Sequence, residues 1–425
     1  MRRVLSIALP LLLIALSVPS CTKDAFEVDA AGVQLRFSQD TLSFDTVFTT
    51  LGTATRRLTV YNPTATPLRL TSVTLAQGRT SRFRLNVDGD TALVARDVEV
   101  DAGDSIFIFA QACIDPNDST SPFLVEDAIL FGNGQRLPLT AWGRNAVYHI
   151  QPQDTSWSVI DCDRWDATLP HVIIGNALVP EDKTLALGPG AEIFFGPNGM
   201  LIVDSAARLV AQGTADAPVR FSSLRQDGWY RFLPGQWQTV WFYNYSTGNV
   251  IDHAILENGT GGLRCYPGAQ LAVSNTVVRN MSDCAIIGQN ATVTGRNLLV
   301  YDCYASFTAL LGGSYSFSRC TFANYWNYTS RKVETIVLSN AMNTPGGVVG
   351  ADLLRADFQD CIVWGSYYSG ELYLSSVEGY AFNHRFTRSI LRGGEWSDDP
   401  LFADPSSDDY TLQDGSPAEG IGYPF

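Results

Sequence analysis

A short phrase that recurs every 22 residues constrains the fold more than any other feature of this chain. Its first four copies begin at residues 251, 273, 295 and 317 and share one order of apolar, polar and Asn or Asp positions. Two further copies begin at residues 358 and 386, after gaps of 41 and 28 residues. A fixed period in this range is typical of one supersecondary unit that stacks on copies of itself.

The repeated unit is predicted to be built from β-strands. Its copies are rich in Val, Ile, Phe and Thr, helical spacing of apolar residues is absent, and Asn, Gly, Ser and Asp fill the gaps. Each unit should therefore form one coil of a parallel β-helix, with equivalent residues about 4.8 Å apart in successive coils. The gap of 41 residues predicts one coil with an insertion between Tyr325 and Asp357.

Individual positions of the phrase predict the core and the turns. The fourth and sixth positions are mostly apolar and should face inward, whereas the second and third are mostly polar and should face water. The eighth position is Asn, Asp or Gly, which is typical of a turn with left-handed backbone. Its members are Asn258, Asn280, Asp302, Asn324, Gly365 and Gly393.

The charge balance limits the classes of partner. The chain of 425 residues has a formal net charge of -14 and only three lysines, so nucleic acid and anionic lipid surfaces are poor candidates. The same balance argues mildly against polyanionic substrates, although a local cluster of arginines could overrule it.

Residues 1–21 are predicted to be a processing segment. Arg2 and Arg3 precede an apolar run that is too short to span a bilayer comfortably. The ending Val18-Pro-Ser-Cys21 resembles the lipobox of bacterial lipoproteins. The resemblance implies lipid on Cys21, a tether over residues 22–32 and a protein anchored in the bacterial cell envelope. A plain secretory signal is the alternative.

Residues 33–145 are predicted to form a β-sandwich, because short alternating strands are separated by turns such as Asp88-Gly89 and Asn133-Gly134. The phrase Leu58-Thr-Val-Tyr-Asn62, followed by Pro67-Leu68, resembles MSP-type immunoglobulin-like domains. That resemblance implies a spacer or a protein-contact module without chemistry of its own.

Residues 146–180 are predicted to be a linker or a cap for the solenoid, and residues 181–425 to be the β-helix itself. The runs Leu185-Ala-Leu-Gly-Pro-Gly190 and Pro218-Val-Arg-Phe-Ser222 resemble right-handed parallel β-helix domains of bacterial secreted proteins, a pectate-lyase-like architecture. With the close at Asp399-Pro-Leu-Phe402, the stretch resembles largely uncharacterised β-helix lipoproteins of Bacteroidetes-type bacteria. The expected fold class is therefore all-β.

Residues at the third position of the repeat are the catalytic candidates, and stacking of the coils would arrange them in one column. Stacking would place Asp360 between Arg319 and Arg388, within about 5 Å along the axis, and His253 begins the same column. An arginine beside a carboxylate could serve a lyase, but an ordinary surface charge ladder is the favoured interpretation. The paired Asp and Gly-His-Gly pattern of pectin-type hydrolases is missing.

Aromatic residues are the stronger hint of a binding surface, because flat rings beside Asn and Asp suit the apolar faces of sugar rings. Packing over the insertion is the alternative interpretation. The ligand-binding candidates are Tyr301, Trp326, Tyr328, Trp364 and Tyr367.

The cysteines predict neither a metal site nor a cofactor. Seven remain after Cys21, and none of them has the CxxC spacing of a zinc site. Cys320 and Cys361 share one column, so they could form a disulfide, although two buried thiols are favoured.

Three functions are compatible with this sequence. The leading hypothesis is a non-catalytic surface module that binds a glycan or another protein; the alternatives are a polysaccharide lyase or glycoside hydrolase, and a structural spacer. An enzyme predicts carboxylates that converge in one groove. A glycan-binding module predicts that Trp326 and Trp364 are exposed on one face.

Overall fold

A computed structural model describes residues 27–28 and 32–424 as an all-β chain of two compact units. The N-terminal unit ends at Asn117 and adds Pro122–Arg144, and the solenoid unit comprises Asp118–Ser121 and the chain from Asn145 onward. Cys21, the predicted lipid acceptor, lies outside the described residues. Within the described ranges, no helix has the length and apolar character needed to cross a membrane.

The N-terminal unit consists of two β-sheets around one hydrophobic core. Burial alternates along its strands, for example over Ser105–Ala112, as expected for sheets with one solvated face. The strands are β1 (Glu27–Val28), β2 (Arg36–Phe37), β3 (Leu42–Phe48), β4 (Arg56–Tyr61), β5 (Leu68–Leu75), β6 (Phe83–Val87), β7 (Val94–Val100), β8 (Ser105–Ala112), β9 (Phe123–Phe131) and β10 (Arg136–Arg144). One sheet contains β1, β3, β5, β7, β9 and β10, and the other has the order β2-β4-β8-β6.

The solenoid unit is one continuous series of strands. Those before residue 270 are β11 (Val147–Ile150), β12 (Ser158–Val159), β13 (Arg164–Trp165), β14 (His171–Ile174), β15 (Asn176–Val179), β16 (Thr184–Leu187), β17 (Glu192–Phe195), β18 (Met200–Val203), β19 (Arg208–Gln212), β20 (Val219–Ser223), β21 (Thr239–Phe242), β22 (Asn249–Asp252), β23 (Ala254–Glu257) and β24 (Leu263–Cys265). The later strands are β25 (Gln270–Arg279), β26 (Cys284–Tyr301), β27 (Ala305–Ser318), β28 (Thr321–Asn324), β29 (Ile336–Ser339), β30 (Ala341–Thr344), β31 (Gly347–Gly350), β32 (Leu353–Gln359), β33 (Ile362–Gly365), β34 (Leu372–Ser375), β35 (Arg385–Thr387), β36 (Ile390–Leu391), β37 (Phe402–Asp404) and β38 (Asp409–Leu412).

Parallel pairing winds these strands into coils with three faces, apart from the antiparallel hairpins β30–β31 and β37–β38. The first face contains β11, β14, β17, β20 and β23, the second contains β12, β15, β18, β21 and β24, and the third contains β13, β16, β19 and β22. The long strands β25, β26 and β27 each run across more than one face. On the first face the series then continues through β28 and β33 to β36.

The strand pairing confirms the repeat predicted from the sequence. Ile251 pairs with Val273, Val273 with Gly295, and Gly295 with Phe317. Phe317 then pairs with Phe358 across the gap of 41 residues, so that gap is one coil. The additional residues of this coil include the β30–β31 hairpin.

The inward columns are also confirmed. Every residue of the fourth and sixth positions is buried. In the first column, the rings of Phe317 and Phe358 stack with centroids 5.3 Å apart, and those of Phe358 and Phe386 with centroids 4.6 Å apart. Residues that are 22 or more positions apart in sequence therefore form continuous apolar lines through the core.

Residues 146–180 form coils, not the linker or cap that was predicted. β11, β12 and β13 pair with β14, β15 and β16 of the next coil. Two of these strands have only two residues, which is too short to show an alternating pattern in the sequence. Trp165 is buried here, and the rings of His149 and His171 stack on it at 4.6 and 4.2 Å.

The third column of the repeat is a turn with left-handed backbone. All six of its residues have positive φ, between 47° and 53°. Asn tolerates this conformation better than Arg does. Two asparagines also connect coils, because Asn297 Nδ2 donates to Asn275 Oδ1 at 2.9 Å and Asn275 Nδ2 donates to Asp252 Oδ1 at 2.8 Å.

Replacing Arg319 with Asn should stabilise the solenoid by about 1 kcal/mol. Arg319 is exposed and has φ of 53°, and Asn297 Oδ1 below it accepts no hydrogen bond from the described residues. An amide at residue 319 would relieve the backbone cost and extend the asparagine ladder by one step. Urea unfolding measures the change, and Arg319→Ala is the control because it offers no amide. Equal stability of the Asn and Ala variants would show that the ladder does not extend.

Candidate functional site

The candidate site is a groove along the edge at which the first face turns toward the second. It has a volume of about 790 Å³. Three departures from the regular coils contribute to its walls: the 3-10 segment Gly228–Phe232, the insertion after Asn324, and the turn between β37 and β38. The coils themselves contribute the seventh position of the repeat, with Glu257, Arg279 and Tyr301, and the eighth position, with Asn258, Asn280 and Asp302. We use "the groove" for this cavity throughout.

Left-handed turns place the eighth column in the groove. Asn258, Asn280 and Asp302 have φ of 69°, 57° and 49°, a region that Asn and Asp tolerate. Asn280 Nδ2 donates to Asn258 Oδ1 at 2.6 Å, which fixes the two amides across adjacent coils. Asp302 follows them on the next coil and replaces the amide with a carboxyl group.

The same asparagines hold the 3-10 segment over the groove. Asn258 Nδ2 donates to Arg231 O at 2.7 Å, and Asn280 Nδ2 donates to Phe232 O at 2.6 Å. The hydroxyl of Tyr328 donates to Phe232 O at 2.7 Å from the insertion on the far side. Side chains of the groove therefore fix the position of this wall.

An arginine pair holds Glu257 ionised at one end of the groove. Arg220 Nη1 donates to Glu257 Oε1 at 2.7 Å, and Arg279 Nη2 donates to Oε2 at 2.6 Å. Burial would raise the pKa of Glu257, but the ion pairs with Arg279 and Arg220 outweigh it and lower that pKa. Glu257 is therefore a fixed charge whose oxygens are occupied.

Tyr301 extends this network along the axis. Arg279 Nη1 donates to the Tyr301 hydroxyl oxygen at 2.7 Å. Burial raises the pKa of Tyr301 to about 12, so the phenol stays protonated at neutral pH and its proton remains available for donation.

Asp302 has the most unusual ionisation in the groove. Burial and, after it, the neighbouring carboxylate of Asp408 raise the pKa of Asp302 to about 6. The hydroxyl of Tyr410 at 3.1 Å and the N–H of Tyr325 at 3.2 Å donate to Asp302 Oδ1 and oppose part of this rise. Asp302 therefore keeps its proton to a higher pH than an exposed aspartic acid does.

The structure brings two of the predicted ligand-binding residues to the groove. Tyr301 and Tyr328 both line it, and Tyr328 is 43% exposed. Tyr301 is buried, since the C-terminal segment packs on the first face and Tyr410 lies against its ring at 4.9 Å. Only its hydroxyl end is therefore a candidate for contact with a ligand.

The predicted platform of Trp326 and Trp364 is wrong. Trp326 is buried, and its Nε1 donates to Thr329 Oγ1 at 3.0 Å within the insertion. Trp364 packs in the cluster that the C-terminal segment forms on the first face. Tyr367 lies outside the groove as well, with its N–H donating to Glu371 Oε1 at 2.9 Å.

The four weak catalytic candidates do not line the groove. They lie in the left-handed turn that precedes the strands of the first face, whereas the eighth-position residues of the groove follow those strands. Asp360 forms an ion pair with Arg388, as in the surface ladder that the sequence favoured, and His253 Nδ1 lies 3.0 Å from Asp252 Oδ2. Arg319 is exposed in the same turn.

Sequence reasoning missed the acidic pair. Asp302 was identified only as a turn residue, although a carboxyl within a column of amides is a visible departure from the pattern. No pattern in the sequence pointed to Asp408. It lies 106 residues after Asp302 and reaches the groove only because the C-terminal hairpin packs there. The hydrogen bond from the Tyr410 hydroxyl to Asp302 Oδ1 is part of this packing.

Other chemistry in the described residues is limited. No three His, Cys, Asp or Glu side chains between residues 32 and 424 come together in an arrangement suited to a metal ion. Cys320 and Cys361 are both buried thiols in the described structure, as are Cys265, Cys284 and Cys303.

No protein family model matches this chain, and no curated protein matches it. Among solved structures, the catalytic domain of a GH87 α-1,3-glucanase variant in complex with tetrasaccharides is 12% identical over 78% of this chain and 80% of its own, with a TM-score of 0.20. The catalytic domain of another GH87 α-1,3-glucanase variant, in complex with nigerose, is 12% identical over 77% of this chain and 80% of its own, with a TM-score of 0.21. The catalytic unit of the thermostable GH87 α-1,3-glucanase from Streptomyces thermodiastaticus strain HF3-3 is 12% identical over 80% of this chain and 76% of its own, with a TM-score of 0.17. With TM-scores this low, none of these structures assigns a function to the chain.

Proposed function

We propose that the solenoid unit hydrolyses glycosidic bonds of a glycan bound in the groove. The observation that carries the proposal is that Asp302 and Asp408 both line one cavity of about 790 Å³, where the Asp408 carboxylate helps to raise the pKa of Asp302. Converging carboxylates in one groove are what an enzyme predicts, so the alternative of a hydrolase is favoured over a non-catalytic module. The groove is large enough for several sugar rings.

The acidic pair suits general acid and base catalysis. In this proposal Asp302 gives its proton to the glycosidic oxygen as the bond to the anomeric carbon breaks. The Asp408 carboxylate stabilises the positive charge that develops at that carbon. A water molecule then adds to the carbon and returns a proton to Asp302, so charge and atoms balance. A carboxylic acid with a pKa of about 6 is suited to donation near neutral pH.

The walls of the groove suit a sugar chain. Tyr328, in the insertion, is 43% exposed, and Phe232, in the 3-10 segment, is 56% exposed. Each ring offers an apolar face to the groove from its own wall. The amides of Asn258 and Asn280 lie at the base, where sugar hydroxyls can exchange with their present hydrogen bonds. Apolar rings and a few directed polar groups are the usual composition of such a site.

Hydrolysis is favoured over a lyase reaction because Arg220 and Arg279 are already held in ion pairs. A lyase would need a cation to neutralise a sugar carboxylate while a base removes the neighbouring proton. Arg220 and Arg279 are instead bound to Glu257, and Arg279 also donates to Tyr301. Both arginines are therefore already held by a carboxylate of the protein.

The setting of this activity is also a proposal. The lipobox-like ending supports an anchor on Cys21 that holds the protein in a bacterial cell envelope. The immunoglobulin-like topology of the N-terminal unit rests on its sequence resemblance, and a right-handed winding is the hand that parallel crossovers take.

A polysaccharide panel tests the proposed function. The purified full chain is incubated with neutral and acidic polysaccharides, and new reducing ends are measured beside the ultraviolet absorbance of unsaturated products. We expect reducing ends from at least one polymer without unsaturated product. Unsaturated product would indicate a lyase, and binding of a polymer without any new reducing ends would overturn the hydrolase.

A further inference from the structure

The second sheet of the N-terminal unit has a charge opposite to that of the chain. Its four strands, β2, β4, β6 and β8, contain four arginines and neither Asp nor Glu. The chain as a whole has 43 acidic residues against 29 basic ones. The strands of the other sheet contain Glu27, Asp45, Asp97, Glu99, Glu126 and Asp127. Acidic side chains within the strands are therefore confined to one of the two sheets.

Strand register places three of these arginines on the outer face with aromatic rings. Residues directly opposite each other in antiparallel strands share a face. Arg36 lies opposite Tyr61, Arg57 opposite Phe109, and Arg84 opposite Gln111. We call this surface the basic face and define it by Arg36, Arg57, Tyr61, Arg84, Phe107 and Phe109.

The aromatic rings of the basic face are open to solvent. Tyr61, Phe107 and Phe109 are 42%, 40% and 39% exposed. The ring centroids of Phe107 and Phe109 are 6.5 Å apart, and the guanidinium carbon of Arg57 lies 5.2 Å from the centroid of Phe107. Exposed aromatics in this density on a sheet mark an interaction surface.

A cavity of about 620 Å³ adjoins the rings at the β6 edge. Phe109 and Leu93 form part of its apolar lining, while Arg84, Asn86 and Gln111 contribute polar groups. A ring against an apolar wall, with a cation and two amides around it, suits a sugar that carries an anionic substituent.

We propose that the basic face binds an acidic polysaccharide, with sugar rings on Phe107 and Phe109 and carboxylate or sulfate groups at Arg57 and Arg84. The face spans four strands, or about 14 Å across, which fits a polymer better than a single sugar. Guanidinium groups pair with carboxylate and sulfate through two parallel hydrogen bonds. The local arginines thus overrule the mild argument that the net charge makes against polyanions. This site is separate from the groove and does not depend on the proposed hydrolase.

Affinity electrophoresis of the full chain tests this proposal. Native gels contain polygalacturonate, dextran sulfate or neutral dextran, so that carboxylate and sulfate are compared with an uncharged polymer. We expect retardation by at least one acidic polymer and none by dextran. Arg57→Ala/Arg84→Ala and, separately, Phe109→Ala should raise the apparent Kd at least tenfold, with circular dichroism unchanged.

The matched control is Arg96→Ala/Arg136→Ala, which removes the same charge from exposed positions of the other sheet. It should bind as the wild type does. Equal effects of the two double variants, equal retardation by dextran, or no retardation by either acidic polymer would overturn the proposal. Asp302→Asn should leave retardation unchanged, so a failure of the hydrolase and a failure of the basic face give different results.

Discussion

Asp302→Asn should reduce the rate of glycan cleavage by about 10²- to 10⁴-fold, the usual contribution of a general acid. The amide keeps the shape of the side chain and can still accept from Tyr410 and Tyr325, but it has no acidic proton to give. Substrate binding should persist, so the loss should appear in kcat and not in KM. The measurement uses the polymer that the panel identifies.

The pH profile of the wild type provides a second check on the same residue. Because the pKa of Asp302 is about 6, the rate should fall as the pH rises above that value and the acid loses its proton. Asp408→Asn removes the neighbouring negative charge, so it should lower the pKa of Asp302 and move this decline to lower pH. The control is Asp357→Asn, at a surface ion pair outside the groove. If Asp302→Asn cleaves at the wild-type rate, Asp302 is not the acid.

Glu371→Ala should lower the free energy of unfolding of the solenoid by about 3–5 kcal/mol, since it leaves a buried charge without its partner. Arg331 and Glu371 are 4% and 0% exposed, and two parallel hydrogen bonds of 2.7 and 2.9 Å join them. Glu371 also accepts from Thr335 N, Thr335 Oγ1 and Tyr367 N. One carboxylate therefore ties the insertion after Asn324 to the following coil.

Urea unfolding of the variant measures this loss, with Asp357→Ala as the control. Asp357 pairs with Arg355 and Arg385, which are 53% and 70% exposed, and its removal should cost less than about 1 kcal/mol. Arg331→Met with Glu371→Leu should recover much of the loss, because neither charge then remains buried. A Glu371→Ala midpoint equal to that of Asp357→Ala would show that the buried pair does not anchor the insertion.

The coils could be predicted from the sequence because each coil repeats the same order of apolar and turn positions. The apolar columns, the polar turn and the coil with the insertion all follow from spacing, and Phe317 pairs with Phe358 and Phe358 with Phe386 as that spacing predicts. The first coil escaped prediction, since strands as short as Arg164–Trp165 carry no period.

The sequence was not sufficient for the groove, because the groove is made where the repeat is broken. The seventh position of the repeat, which holds Tyr301 and Trp364, follows the inward sixth position and should therefore face outward. The segment after β36 instead packs on the first face and buries Tyr301 and part of Trp364. Contacts such as that between Tyr410 and Asp302 join residues 108 positions apart with no periodic relation. The basic face had the same difficulty, since alternation predicts strands but not which strands pair.

The most direct test of the proposed site is the pKa of Asp302 itself. Carbon-13 NMR of the side-chain carboxyl, assigned by comparison with Asp302→Asn, follows its titration in the folded protein. The account predicts a midpoint of about 6 that falls in Asp408→Asn. A midpoint near 4, the ordinary range of an aspartic acid, would contradict it.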